Sequence, residues 1–238
     1  MTGLRVVASP RKLRFGRREM PGRSSAFPEE GIAAGDSTPS QNDTPGKGQV
    51  RMRIDDTTPL RTRDGVTLTS RRLVAGDIAA LKRFYDDLTP RSRAFFLAHG
   101  LDRATLRKVT DRSEAGDDLV LGLFEDTRMV GYFFLWYFNN PVPLLGIGLS
   151  DAFHGRGLGK QMLQLLISEA AEHGCEGVEL TTQMDNDRAF ALYKAVGFEH
   201  YGDVENLQGD GTVERERAMF YRIAPDATPG DTPHAPPV

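Results

Sequence analysis

Three glycines in five residues, Gly155, Gly157 and Gly159, separate an apolar run from an amphipathic one. The run before them, Leu144 to Ser150, is apolar and dotted with glycine, which suits a strand in a sheet interior. After them Leu158, Met162, Leu165/Leu166 and Glu169/Ala170 recur at helical spacing up to Gly174, a good residue just past a helix end. A strand, a glycine turn and a helix start in direct succession form an anion cradle. The first amide N–H groups of a helix have no internal partner, and the helix dipole puts partial positive charge there. Glycine lets the backbone come close to a bulky phosphate. Arg156 and Lys160 are expected to add full charges on either side.

Two other phosphate-binding patterns fail on these residues. A P-loop needs Gly at 154 and Ser or Thr after the Lys, where the chain has His154 and Gln161. The dinucleotide pattern G-x-G-x-x-G needs Gly at 160, where there is Lys160. A plain strand-to-helix turn with no ligand would use the same glycines.

A second signal follows in Asn186-Asp187-Arg188-Ala189-Phe190-Ala191-Leu192-Tyr193, leading to Gly197-Phe198. With it the chain resembles the GNAT acetyltransferase superfamily. The stretch His154-Gly155-Arg156-Gly157-Leu158-Gly159 is similar to that superfamily's R/Q-x-x-G-x-G/A acyl-CoA motif. Asn186, Ala189, Tyr193, Gly197 and Phe198 fit its N-x-x-A-x-x-x-Y-x-x-x-G-F signature. The resemblance covers roughly residues 65–223 and is sharpest from 144 to 198. Two positions depart from it. His154 stands where Arg or Gln is usual, and Thr181 stands where a Glu base is often found, which leaves the general base open between Glu179, Asp185 and a water chain.

The resemblance implies an α/β (α+β) fold: a mixed, mostly antiparallel sheet flanked by helices and splayed at the acyl-CoA site. It implies acetyl-CoA as acyl donor, with the pantetheine arm added like a strand to the edge of Ile147, Gly148 and Leu149. A free backbone N–H there would hold the thioester oxyanion. The pyrophosphate would sit on His154, Gly155, Arg156, Gly157, Leu158, Gly159 and Lys160, and Asn186 would hydrogen-bond the pantetheine. Tyr193, seven residues and about two turns beyond Asn186, would project from the same helix face and protonate the leaving thiolate.

The rest of the chain frames this domain. Residues 1–60, Arg-rich and then rich in Pro, Gly and Ser, are expected to stay a disordered arm, 61–224 to form the domain, and the Pro-rich 225–238 to be a disordered tail. The arm could also touch nucleic acid or a membrane, or serve as an organelle transit peptide. Yet the net charge of −3 gives no bulk attraction to either. Val66–Leu73 alternates like a strand. Ile78, Leu81, Phe84/Tyr85 and Leu88 follow at helical spacing, Pro90 opens a second helical stretch, and Asp102 caps another. The run Leu88 to Phe96 is similar to the acceptor-shaping region of the protein-lysine acetyltransferase branch. Leu119–Glu125 and Met129–Phe138 predict a hairpin whose Trp136, Tyr137 and Phe138 could line an acceptor pocket or simply be core. The expected order is β-α-α-β-β-β-α-β-α-β-β.

A single cysteine, Cys175, forbids an intrachain disulfide and points to a reducing, cytoplasmic setting. No apolar run reaches a membrane span, and the five scattered histidines show no metal-ligand spacing. These observations together predict an N-acetyltransferase acting on a primary amine. The alternative is an acyl-CoA-binding sensor without catalysis. Protein lysine, a polyamine, an amino acid and an antibiotic amine all stay open as acceptors, and so does the oligomeric state, a dimer included. Acceptor choice is expected to lie in the helices before the hairpin and in the loop around Glu205–Thr212.

Overall fold

The computed structural model describes residues 57–208, 210–230 and 236–238. Thirteen main elements follow in order: β1 (Thr57–Arg61), β2 (Thr67–Arg72), α1 (Ile78–Asp86), α2 (Pro90–Phe95), α3 (Arg103–Ala115), β3 (Leu119–Glu125), β4 (Arg128–Trp136), β5 (Leu144–Leu149), α4 (Leu158–His173), β6 (Gly177–Gln183), α5 (Asp187–Val196), β7 (Glu199–Leu207) and β8 (Val213–Arg222). The strands form one sheet in the order β1-β2-β3-β4-β5-β6-β8-β7. Among the described residues only the β5–β6 pair is parallel. This is the mixed, mostly antiparallel sheet flanked by helices that the resemblance implied.

Alternation along the strands assigns the two faces. Leu119, Leu121, Phe133, Leu135, Leu145, Val178, Leu180 and Met219 pack under Leu158, Met162, Leu163 and Leu166 of α4. Their sequence neighbours Val120, Tyr132, Phe134, Trp136 and Leu144 point the other way, against Leu81, Phe84 and Tyr85 of α1 and Leu106 and Val109 of α3. Each central strand is therefore covered on both faces, which is why β3 and β4 are almost unbroken apolar runs. Helix ends follow the sequence cues. Asp102 accepts from the Ala104 and Thr105 amides at the start of α3, and Gly116, Gly174 and Gly197 close α3, α4 and α5 with left-handed φ.

Three expectations about the frame change. The disordered arm was placed up to residue 60, but Thr57–Arg61 is a strand, paired antiparallel with β2. It was hidden by Pro59, which an edge strand tolerates, and by a burial pattern with one inward side chain, Leu60. The rest of the expected disordered arm, with the nucleic-acid, membrane and transit alternatives raised for it, falls on residues 1–56, outside the described residues. The tail from Pro225 is not wholly detached. Ala227, 5% exposed, packs with Val142 and Phe220, and Val238 lies against the α1–α3 core. The expected element order is short by one helix, since the three helical stretches expected at Ile78, Pro90 and Asp102 all form between β2 and β3.

Candidate active site

The sheet comes apart between β5 and β6, ahead of the glycine turn. β5 stays paired with β4 along its whole length, from Leu144 opposite Trp136 to Leu149 opposite Gly131. Its pairing with β6 is confined to Leu144 opposite Glu179. Beyond that point one edge of β5 faces a gap. Antiparallel geometry settles which groups face it. The Ser150 amide donates to the Val130 carbonyl at 2.8 Å, so the even-numbered residues bond across to β4. The backbone groups of Ile147 and Leu149 therefore point into the gap.

His154 accounts for one of these groups. Its Nε2 lies 2.8 Å from the Leu149 carbonyl oxygen, which can only accept, so Nε2 carries the proton. The imidazole thus caps the β5 edge from within the chain. Among the described residues, the amide and carbonyl of Ile147 and the amide of Leu149 remain open.

The turn has the backbone that its glycines permit. Gly155 has φ +74° and Gly157 φ +87°, both left-handed, and Gly157 is the N-cap of α4. Gly159 serves a different purpose. A Cβ there would lie 3.0 Å from Leu192, so its absence lets α5 approach the first turn of α4. The unpaired amides of that turn face a cleft of about 900 Å³, lined by Ile147, Gly148, Leu149, His154, Gly155, Gly157, Leu158, Gly159, Lys160, Asn186 and Tyr193, among others.

One charge is diverted, and another takes its place. The Arg156 side chain does not line this cleft. Its Nε donates to Asp64 Oδ1 at 3.1 Å, a second nitrogen reaches Oδ2, and the guanidinium stands over the Phe153 ring. The hydrogen bond from Arg156, helped by Thr62, pulls the Asp64 carboxyl down to about 2. The Arg63 amide donates to the Arg156 carbonyl at 3.0 Å, which ties the β1–β2 turn to the glycine loop. Arg63 itself lies on the cleft wall, exposed and beside Gly157. The cations presented at the glycine turn are thus Arg63 and Lys160. Arg63 was missed because its partner element, β1, was missed.

Asp151 anchors α2 to the same turn. Its carboxylate accepts from Ser92 Oγ at 2.6 Å and from the Thr89 hydroxyl and amide at 3.1 Å. Burial works against the ionised form, but these hydrogen bonds outweigh it and hold the carboxyl below its usual range.

On the far wall, Asn186 caps α5 by accepting from the Ala189 amide at 3.3 Å, a bond that does not use its Nδ2, and the residue lines the cleft. Tyr193 is 6% exposed, with its ring edge-on to Phe198. Burial, reinforced by the nearby Glu216 carboxylate, raises its phenol well above the ordinary range.

The base candidates divide. Glu179 is fully buried, accepts from the Tyr201 hydroxyl at 2.8 Å and does not line the cleft. Asp185 is on the cleft wall and exposed. A third carboxylate, Glu216, is 5% exposed and on that wall too. Sequence reasoning passed over it because Val213-Glu-Arg-Glu-Arg-Ala218 looks like a solvated strand end. The available signal was its phase, since Glu216 shares a face with Ala218 and Phe220.

The aromatic wall also sorts itself. Trp136 stacks on Phe134 at 3.9 Å and borders a smaller cavity opening beside the cleft. Tyr137 leaves the strand with φ +55°, and Phe138 is core, stacked on His173. Gly146 and Gly148 make room for this wall. A Cβ on Gly146 would meet the Phe134 ring at 2.2 Å, and one on Gly148 the Phe96 ring at 2.2 Å. Gly146→Ala is therefore expected to lower stability by about 1–3 kcal/mol, as overpacking does. An unchanged urea midpoint would mean that the Phe134 ring can swing away at no cost.

Comparison with known proteins bears on these features. Residues 81–198 match the profile of the Acetyltransferase (GNAT) family. The spermine/spermidine N(1)-acetyltransferase of Bacillus subtilis is 30% identical over 105 residues, covering 40% of this chain and 68% of that protein. A mycothiol acetyltransferase of Corynebacterium efficiens is 28% identical over 100 residues, 42% of this chain and 34% of its own. The chain thus spans between 15% and 34% of the length of the mycothiol acetyltransferases that it matches. The structure of yncA, a putative acetyltransferase from Salmonella typhimurium with its cofactor acetyl-CoA, superposes with a TM-score of 0.53. It is 20% identical and covers 69% of this chain and 99% of that one, a likeness of fold.

Proposed function

The chain belongs to the GNAT acetyltransferase family, and we propose that it moves an acetyl group from acetyl-CoA to a primary amine by direct attack in a ternary complex. The observation that carries this reading is the parting of β5 from β6 beside a helix start built on two left-handed glycines. An extended, amide-bearing arm ending in a diphosphate matches that surface. The open β5 edge takes the arm, and the amides of Gly157 to Lys160 take the diphosphate. The named relatives act on, or are bound to, molecules of these kinds: spermine and spermidine in one, acetyl-CoA in another.

Acetyl-CoA supplies the activated thioester, and the chain supplies the rest. With the diphosphate on the glycine turn, an arm running along β5 passes Leu149 first and ends near Ile147. The Ile147 amide then holds the thioester oxygen as negative charge builds on it. Asn186 steadies the arm through Nδ2. Tyr193, kept protonated by its burial, gives its proton to the departing sulfur. The acceptor must lose a proton, because an alkyl ammonium of pKa about 10.4 is neutral in fewer than about one molecule in a thousand near pH 7. Tyr193 on the cleft wall supports this reading over that of a binding module without catalysis.

Calorimetry with acetyl-CoA and with CoA, followed by thiol release in the presence of amines, tests the proposal. No heat with either ligand would sink it, and heat without amine-dependent thiol release would leave only a sensor. Arg63 offers a narrower check. Arg63→Ala is expected to weaken CoA binding about five- to tenfold at low salt, the scale of one partly exposed charge-assisted contact, and to leave binding of phosphate-free pantetheine unchanged. Equal losses for both ligands would remove Arg63 from the phosphate site.

A further inference from the structure

The smaller cavity, about 90 Å³, opens on the sheet face away from α4. Phe95, Phe96, Leu97, Phe134, Trp136 and Leu144 form the apolar half of its wall, and Thr181, Asn206, Gln208 and Glu216 stand in the polar half. It shares Gly146, Thr181 and Glu216 with the main cleft, so the two spaces adjoin. The register brings Glu216 close to the reacting end. Leu144 lies opposite Glu179, which puts Ile147 level with Thr182, and Glu216 pairs with the next residue, Gln183.

Two side-chain amides hold the Glu216 carboxyl group in this wall. Gln208 Nε2 donates to Oε1 at 2.8 Å and Asn206 Nδ2 donates to Oε2 at 2.8 Å. Asn206 Nδ2 also reaches Thr181 Oγ1 at 3.0 Å, which fixes the direction of the amide. Its Oδ1 is left buried without a partner among the described residues. Both donors come from the β7–β8 hairpin, the region expected to govern acceptor choice. A carboxylate with spare lone pairs and an unpartnered amide oxygen, set in aromatic walls, make a site for a hydrogen-bond donor that carries positive charge.

Resting on the reading of the main cleft as the acetyl-CoA site, we propose that this cavity takes the acceptor as a primary ammonium on a short apolar group, with Glu216 as its anchor and proton acceptor. Glu216 draws the ammonium in and takes a proton from its nitrogen. That transfer turns two buried charges into two neutral groups, which burial away from water favours. The nitrogen lone pair forms the C–N bond, the C–S bond breaks with its electron pair on sulfur, and Tyr193 protonates the sulfur. The second nitrogen proton passes to water. Tyr193 and Glu216 return to their starting states by exchange with water, and one proton is released overall.

The test compares n-butylamine and phenethylamine with spermidine and glucosamine as acceptors, using wild type and Glu216→Gln. The wild type is expected to favour the apolar amines by at least about tenfold in kcat/KM, the scale of a few buried methylenes. Glu216→Gln is expected to bind acetyl-CoA within about twofold of wild type and to lose about a hundredfold in kcat/KM for those amines. Its residual rate should rise tenfold per pH unit from pH 7 to 9, as free amine replaces the lost base. Glu216→Asp should recover part of the loss. Equal use of glucosamine, no transfer to either apolar amine, or an unaltered rate and pH profile in Glu216→Gln would each overturn this inference while acetyl-CoA still binds. Failure of the wild type to bind acetyl-CoA would instead remove the reading beneath it.

Discussion

Ile147→Pro is expected to leave the chain folded and acetyl-CoA bound, and to lower turnover by about a hundredfold to a thousandfold, the usual cost of one oxyanion donor. Proline deletes a backbone N–H, which in most strands breaks a ladder bond. Here it does not, because the Ile147 amide faces the gap and β5 is bonded to β4 through the alternate residues. The preceding residue, Gly146, is already extended, as a residue before proline must be. Ile147 is only partly buried against the α4-side core, so trimming its side chain costs about 1–3 kcal/mol, readable as a lower melting temperature. Leu149→Pro is the control. Its amide is nearer the glycine turn, so the loss should appear in acetyl-CoA affinity and much less in turnover. A saturated rate in Ile147→Pro equal to wild type would show that another donor holds the thioester oxygen.

The sequence carried the parts of this site that obey local rules. Gly155 and Gly157 are needed where φ is positive, Gly174 and Gly197 close helices, and Asn186 caps one. Each is visible because backbone chemistry restricts the residue type at that spot. Charge destinations were less visible. Arg156 looks like a phosphate ligand beside the glycines, yet its partner Asp64 is far away in sequence, in a turn reached only through the missed strand β1. Glu179 and Glu216 show the same limit from both sides. Both lie on β6 or β8 and face the same way, but Glu179 sits where β5 and β6 are still joined and Glu216 where they have parted. Which carboxylate meets the cleft depends on where one pair of strands separates, a property of long-range register that no local pattern carries. The place of Tyr193 on the cleft wall with Asn186 was legible because α5 alone sets the spacing between them.

That spacing makes Tyr193→Phe the second large effect. The substitution removes one oxygen from a ring whose packing against Phe198 stays intact, so stability and acetyl-CoA affinity should hold within about twofold. Turnover should fall by about tenfold to a thousandfold, the scale of losing a positioned proton donor. The direction of the phenol's shift sets the sign of the pH behaviour. Burial, then Glu216, raise its pKa above the ordinary value near 10, so the hydroxyl keeps its proton throughout the neutral range. The group is therefore a donor and not a base, and its ionisation should cause no fall in wild-type turnover between pH 7 and 9.5. Linkage has the same sign: the stability gained from the raised pKa is present below about pH 10 and is lost as pH climbs through the higher folded value. A wild-type rate that drops across pH 8 in step with Tyr193 ionisation, or a Tyr193→Phe variant with unchanged turnover, would transfer the proton to some other donor. Pre-steady-state thiol release separates that outcome from slow product dissociation. The variant should lose the fast chemical phase, whereas a change confined to CoA departure would leave that phase intact.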